Sequence, residues 1–76
     1  MDGLAGLPIG GRVAELRRRA GLTQAGLAQR LHRSVSWVSK VEQGRRAVDN
    51  VRTLIELKDA LGVRLEDLRE DFDPIR

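Results

Sequence analysis

The sequence predicts an all-α domain built from five short helices. Apolar residues recur three or four positions apart in successive segments, which is the spacing of one helix face. A glycine or a side chain suited to capping separates each segment from the next. At 76 residues the chain predicts one domain, near the lower size limit for a stable core. Because it holds one Trp and one Phe in a composition that is 41% hydrophobic, that core must be mainly aliphatic.

The first helix is predicted at roughly residues 9–20. Its apolar positions follow the spacing i, i+4, i+7 and i+11, at Ile9, Val13, Leu16 and Ala20. Gly21 then ends the helix. Residues 1–8 have no periodicity and no basic side chain, and we expect them to form a flexible arm.

The second helix is predicted at about residues 23–31. Thr23 is suited to the N-cap, where its hydroxyl can accept a hydrogen bond from a free backbone N–H. Leu27, Ala28 and Leu31 then share one face. Small Ala28 lies where a crossing helix would approach closely.

A tight turn at His32-Arg33 leads to the third helix, predicted at about residues 34–43. Ser34 is suited to its N-cap, and Gly44 follows its last turn. Two valines spaced three apart face back toward the second helix, Val38 and Val41.

A fourth helix is expected to begin at Asp49 or Asn50 and to end at Gly62. Its buried side is predicted to contain Val51, Leu54, Ile55, Leu57 and Leu61. A short fifth helix is predicted over 65–68, before an acidic tail at 70–76. An apolar stripe continues into this tail, at Leu65, Leu68, Phe72 and Ile75. The stripe either closes the core, or forms a contact with a second copy or another protein, or leads into further protein.

Positive charge is concentrated in the first half of the chain. Residues 12–46 contain nine basic and two acidic residues, a net +7, whereas residues 49–76 contain five basic and eight acidic ones, a net −3. Such a distribution attracts a polyanion to the segment that holds the two middle helices. The alternative is a solvated basic face without a ligand.

Other chemistry finds little support in the sequence. His32 is the one histidine, and cysteine and tyrosine are absent, so we expect no enzyme activity, metal site or cofactor. No apolar run approaches the ~20 residues that span a bilayer, and the N-terminus lacks the pattern of a signal peptide. The lack of cysteine is compatible with a reducing cytoplasm.

The pattern resembles the helix-turn-helix of the Cro/C1 phage-repressor family, also called the XRE family, over roughly residues 9–69. The positions that carry the resemblance are Leu22-Thr23-Gln24, Leu27-Ala28, Leu31, Ser34, Val38-Ser39-Lys40-Val41-Glu42, Gly44, Thr53-Leu54, Leu57, Ala60-Leu61-Gly62-Val63 and Leu65-Glu66-Asp67-Leu68. The resemblance implies a phage-repressor-like five-helix fold whose third helix enters the major groove of DNA.

The resemblance also assigns residues to DNA contacts. Val35, Ser36 and Lys40 match base-reading positions, and Ser39 lies beside them. Contacts to the DNA backbone are expected from Arg12, Gln24, Arg33, Trp37, Gln43, Arg45 and Arg46. Two of these assignments have a plainer alternative: Lys40 only neutralises a phosphate, and Trp37 only packs in the core.

One ion pair and two departures from the family pattern complete the comparison. Family members pair an arginine at position 17 with a glutamate at position 42, so Arg17 and Glu42 are expected to lock the first helix onto the third. Gly26 stands where a glutamate would complete a capping box. His32 occupies a turn position that usually holds glycine, in a left-handed conformation that histidine tolerates at some cost.

The function implied is a sequence-specific transcriptional regulator, a repressor, in the cytoplasm of a bacterium or its phage. Two subunits are expected on a pseudo-palindromic site, one helical turn apart. An antitoxin or a restriction–modification controller would use the same fold. The rival from another class is a protein-interaction adaptor that works through the Leu65–Ile75 stripe. Basic residues gathered around the third helix would favour DNA, and scattered ones would favour the adaptor.

Overall fold

The computed structural model describes residues 6–68, which form five α-helices and, within that range, no strand. In chain order the helices are α1 (Ile9–Arg19), α2 (Gln24–Leu31), α3 (Val35–Glu42), α4 (Val51–Leu61) and α5 (Leu65–Leu68). The all-α, five-helix prediction is confirmed. The predicted bounds of the first three helices exceed the observed ones only by the capping residues. The predicted acidic tail at 70–76 lies outside the described residues, as does most of the predicted arm.

Polar side chains cap three of the helices at their N-termini. The Thr23 hydroxyl accepts a hydrogen bond from the Gly26 amide at 2.9 Å, and the Ser34 hydroxyl accepts one from the Trp37 amide at 3.0 Å. At α4 the cap is Asn50 rather than Asp49, since its side-chain oxygen accepts from the backbone N–H of residue 53 at 2.7 Å. Each cap satisfies one of the donors that a helix leaves free at its start, so the helix boundaries follow from local chemistry.

The turn between α2 and α3 depends on a left-handed histidine. His32 has φ 56° and ψ 42°, in the left-handed region that the resemblance expects at this position. Its amide donates to the Gln29 carbonyl at 3.2 Å, and the Arg33 amide donates to the Ala28 carbonyl at 2.9 Å. These bonds close the end of α2 and redirect the chain into the Ser34 cap.

The core consists almost entirely of leucine and valine. Its buried members are Val13, Leu16, Leu27, Ala28, Leu31, Val38, Val41, Val48, Leu54, Leu57, Leu61 and Leu68. The inner face of α3 contributes Val38 and Val41, each 1% exposed, and α3 packs against α1 and α2. Burying a valine contributes about 1.5–3 kcal/mol, so this face fixes which side of α3 remains in solvent.

The first turn of α1 approaches the last turn of α3 through a residue that has no side chain. A Cβ atom at Gly10 would overlap the Val41 carbonyl oxygen and lie 3.0 Å from that of Glu42. Backbone oxygens cannot move aside as a side-chain tip can, so only glycine allows this contact. Gly10 thereby sets the distance between α1 and the C-terminal end of α3.

One prediction about apolar residues needs correction, and one alternative that the sequence left open is favoured. Val51 and Ile55 were expected in the core but are 55% and 41% exposed, because the face of α4 that they share has no neighbouring helix within residues 6–68. Leu68 is fully buried, which favours the alternative in which the apolar stripe closes the core. Leu65 is partly buried against the same core. The remaining members of the predicted stripe, Phe72 and Ile75, lie outside the described residues.

Candidate nucleic-acid interface

The outer face of α3 is open along its length. Val35 is 45% exposed, and Ser36 and Lys40 are also exposed, whereas Val38 and Val41 on the opposite side are buried. These three exposed residues are the ones that sequence analysis predicts to read bases. We call this set, Val35, Ser36 and Lys40, the reading face. It offers a methyl surface, a hydroxyl and an ammonium group, which are the kinds of group that contact base edges in a major groove.

Ser39 is bonded within the protein. Its hydroxyl accepts a hydrogen bond from the Gln43 side-chain amide at 2.7 Å, one helical turn further on. A serine hydroxyl keeps a donor and a second lone pair, so this bond does not prevent a contact to DNA. It does orient the Gln43 side chain along the end of α3. The DNA contacts predicted for Ser39 and Gln43 remain predictions.

The C-terminal end of α3 is held by a cluster of three side chains, Arg17, Gln24 and Glu42. Arg17 donates from Nε and Nη2 to the two carboxylate oxygens of Glu42, at 2.7 and 3.2 Å. The Gln24 amide donates to Glu42 Oε1 at 3.0 Å. The side chains of Arg17 and Glu42 are only 11% and 7% exposed. A third Arg17 bond, from Nη1 to the Leu22 carbonyl at 2.9 Å, ties in the chain just before α2.

This cluster changes the interpretation of Gln24. The residue was predicted to bind phosphate, yet its amide nitrogen already donates to the buried carboxylate of Glu42. An amide nitrogen carries two donors, so one N–H remains for a phosphate. Gln24 is half-buried at the start of α2. Its side chain contacts Glu42 on one side and solvent on the other.

The N-terminal end of α3 is held differently. The Arg33 guanidinium stacks over the Trp37 ring, with its central carbon 4.5 Å from the ring centroid. The same guanidinium faces Glu56 of α4, with Nη2 3.8 Å from Oε1. The Trp37 Nε1 atom is buried and has no hydrogen-bond partner within residues 6–68. A phosphate could therefore reach this N–H only if the side chains around it moved.

Two exposed arginines directly follow α3. The amides of Arg45 and Arg46 both donate to the Lys40 carbonyl, at 2.8 and 3.2 Å, because the chain turns back at Gly44. Their backbone is thereby held at the end of α3, one turn beyond the Lys40 side chain. Arg33 precedes α3, Lys40 lies in its last turn and the two arginines follow it, so positive charge lies at both ends of the helix, an arrangement that favours a polyanion.

The prediction that Arg12 contacts a phosphate is wrong. Arg12 is 5% exposed, and its guanidinium donates to the Leu7 carbonyl at 3.1 Å and to the Asp67 carbonyl at 3.3 Å. Its position beside the apolar stripe of α1 suggested an outward side chain. The segment before α1 and the end of α5 instead meet over this position, and their carbonyl groups need a donor.

Sequence reasoning missed three residues that matter here: Gly10, Arg30 and Glu56. Arg30 donates from Nη1 to the Ala60 carbonyl at 2.9 Å, linking α2 to α4. The role of Gly10 depends on the crossing of two helices, and that of Glu56 on the position of α4 relative to the turn. Each is a contact between distant segments, for which the local pattern carries no signal.

No group of three or more His, Asp or Glu side chains within residues 6–68 could hold a metal ion. None of the helices in that range combines the length and the apolar character needed to cross a membrane.

Two short helices joined by a tight turn, with the second exposed beside a basic loop, define a helix-turn-helix domain. Comparison with known proteins agrees: residues 8–72 match the family described as helix-turn-helix domain. The chain belongs to that family, and it is a DNA-binding regulator of transcription.

Two individual proteins show the likeness more closely. An uncharacterised helix-turn-helix transcriptional regulator, y4dJ of Sinorhizobium fredii (strain NBRC 101917 / NGR234), is 46% identical over 55 residues, which cover 72% of this chain and 70% of that protein. The crystal structure of the restriction-modification controller protein C.AhdI from Aeromonas hydrophila matches with a TM-score of 0.73 at 35% identity. That match covers 79% of this chain and 89% of C.AhdI.

Proposed function

We propose that this protein is a sequence-specific repressor of the Cro/C1 type, which reads the major groove of double-stranded DNA with α3. The observation that carries the proposal is the reading face. It is open to solvent while the opposite side of α3 is buried and both ends of the helix are held. Such a protein acts by binding alone, without catalysis or a cofactor, in the cytoplasm where the DNA is.

Each member of the reading face has a distinct partner in the groove. Val35 packs against a thymine methyl group, and the Ser36 hydroxyl bonds to either kind of base edge. Lys40 donates to O6 and N7 of a guanine, a contact that contributes about 1–3 kcal/mol of discrimination against the wrong base. Ser39 lies beside them and contacts a neighbouring base edge.

Phosphates on either side of the groove are bound by polar and basic residues that flank α3. These are Gln24, Arg33, Trp37, Gln43, Arg45 and Arg46. Neutralising phosphates releases counterions, so the logarithm of the binding constant should fall with the logarithm of salt concentration by about 0.9 for each phosphate neutralised. Of these residues only Arg33, Arg45 and Arg46 carry a charge, so roughly three phosphates are neutralised per subunit and the salt dependence should be steep.

A second copy of the chain completes the recognition unit. One reading face spans too few base pairs for tight specific binding, so two subunits occupy half-sites about one helical turn apart. Val51 and Ile55, exposed on one face of α4, support such a pairing, because an apolar face shared by two copies would be covered by each of them.

A controller of a restriction–modification system is the second candidate function. The likeness to C.AhdI favours it, with a TM-score of 0.73 over 79% of this chain. An adaptor working through the Leu65–Ile75 stripe has less support, because Leu68 is part of the core.

The first experiment selects bound sequences from a random pool of double-stranded DNA and measures affinity for the selected site over a range of salt concentrations. An enriched pseudo-palindrome and a steep salt dependence are expected. A uniform pool after selection, or binding that does not change with salt, would contradict the proposal.

Lys40→Ala then tests direct reading of a base. Because this variant removes one base contact, the preference at a single base pair of each half-site should relax, at a cost of about 1–3 kcal/mol. Lys58→Ala is the matched control, since Lys58 is the other lysine of the chain and its ammonium group bonds Asp59 on α4. An equal loss of affinity for all sequences would assign Lys40 to a phosphate instead.

A further inference from the structure

We infer that Glu56 of α4 competes with DNA for the guanidinium of Arg33, and so acts as a positioning residue that moderates binding to the DNA backbone. The inference rests on the proposed function, because it needs a phosphate at the N-terminal end of α3. It adds a residue that lies outside the helix-turn-helix and carries the same sign of charge as the ligand.

The geometry joins three side chains at the start of α3. Arg33 stands between the left-handed His32 and the Ser34 cap, so its backbone is held by two neighbouring constraints. Its guanidinium lies over the Trp37 ring, with the central carbon 4.5 Å from the ring centroid, and faces Glu56 across 3.8 Å. The ring and the carboxylate thus contact the same guanidinium from two elements, α3 and α4.

The pairing is weak enough to exchange. The side chains of Arg33 and Glu56 are 36% and 46% exposed, and at 3.8 Å the contact is longer than a hydrogen bond. Water and salt screen an ion pair of this kind, which therefore adds little to stability. A phosphate offers the same guanidinium two oxygens in bidentate geometry, which is a stronger interaction.

The neighbouring Arg30 does not replace Arg33 as the partner of Glu56. Arg30 and Glu56 both line a cleft between α2 and α4. The Arg30 guanidinium, however, already donates to the Ala60 carbonyl at 2.9 Å. Within residues 6–68 the cation that faces Glu56 is Arg33. A phosphate that binds the Nη2 edge of Arg33 displaces Glu56 and leaves that carboxylate unpaired near the negatively charged DNA backbone.

The environment of Trp37 should change when Arg33 exchanges Glu56 for a phosphate. The Trp37 Nε1 atom is buried without a hydrogen-bond partner in the described chain, and Arg33 lies over the ring to which this atom belongs. When Arg33 turns from Glu56 to a phosphate, the cover on the ring changes and the N–H gains access to an acceptor. Since Trp37 is the single tryptophan, its fluorescence should change on DNA binding and should report this end of α3 alone.

The test compares Glu56→Gln with Glu66→Gln in the full chain. Both variants remove one negative charge from an exposed glutamate, but Glu66 lies on α5. Glu56→Gln should bind the selected site and unrelated duplexes about two- to fivefold more tightly at low salt, with a salt slope steeper by up to about one. Glu66→Gln should change neither the slope nor the emission of Trp37.

Arg33→Ala, alone and combined with Glu56→Gln, closes a double-mutant cycle. If Glu56 acts through Arg33, the gain from Glu56→Gln should vanish in the Arg33→Ala background. Equal gains from both glutamine variants, or a gain that persists without Arg33, would overturn the inference while the proposed function stood. A wild-type chain that binds no DNA would overturn both.

Discussion

The two ends of α3 each carry an arginine facing a glutamate, but they are built in different ways. At the C-terminal end Arg17 and Glu42 meet at 2.7 Å with side chains 11% and 7% exposed, and Gln24 adds a further bond. At the N-terminal end Arg33 and Glu56 lie 3.8 Å apart with side chains 36% and 46% exposed.

This difference separates a structural contact from an exchangeable one. When one partner of a buried pair is lost, the other is left as an unpaired charge in the protein interior. Both partners are therefore needed for stability, even where the intact pair adds little net stability. A pair in water loses little when it opens, so a ligand can replace one of its members. Both ends of α3 are held, but only the ion pair at the N-terminal end can be exchanged for a ligand.

The largest expected effect is the loss of stability in Glu42→Gln. This variant leaves the Arg17 guanidinium buried opposite a neutral amide, and the free energy of unfolding should fall by about 3–5 kcal/mol. Glu56→Gln makes the same chemical change in the exposed pair and should alter stability by less than about 1 kcal/mol. Urea unfolding followed by circular dichroism measures both. Equal values for the two variants would remove the distinction between the ends.

A smaller effect is expected from a substitution that changes the distance between α1 and the C-terminal end of α3 and leaves all charges in place. Gly10→Ala forces a methyl group onto the carbonyl oxygen of Val41 and should destabilise the protein by about 1–3 kcal/mol. Gly11→Ala is the control, since its new Cβ would meet only the Leu7 and Pro8 side chains at 3.5 Å or more. The control should gain up to about 1 kcal/mol from helix propensity. Thermal melts that moved in the same direction for both variants would contradict the close approach.

The smallest effect is expected in the first turn of α2. This turn contains Gln24, whose side chain donates to Glu42. Gly26→Ala should stabilise the protein by about 0.5–1 kcal/mol, because alanine orders a helix at less entropic cost than glycine. The added Cβ would lie 3.3 Å from the Thr23 hydroxyl oxygen, which must shift slightly while it keeps its hydrogen bond to the amide of residue 26. Gly62→Ala, at φ 70°, should instead lower the melting temperature. A destabilised Gly26→Ala would mean that the cap cannot accommodate the methyl group.

Local signals in the sequence predicted most of the fold. Thr23, Ser34 and Asn50 cap the helices where a capping residue precedes an apolar repeat, and Val38 and Val41 face inward as their spacing indicates. Such features depend on neighbours within one or two turns. The reading face followed from the same periodicity, because residues opposite a buried stripe on a short helix must face solvent.

Contacts between distant segments could not be predicted in this way. Arg12 was expected to reach a phosphate because it lies off the apolar stripe of α1, and two carbonyl groups brought together by the fold reversed that expectation. Val51 and Ile55 were placed in the core because they are apolar, although no helix within residues 6–68 covers them. Glu56 gained its role only once α4 lay beside the turn that holds Arg33.

Arg12 also fastens the two extremities of the described chain to each other. Since one planar guanidinium bonds both the Leu7 and the Asp67 carbonyls, a linker of a few flexible residues would bridge these points. The domain is therefore suited to circular permutation, with new termini opened in an exposed connection elsewhere. It also follows that tags or fusion partners attached just before residue 7 and just after residue 67 would crowd the same corner of the molecule.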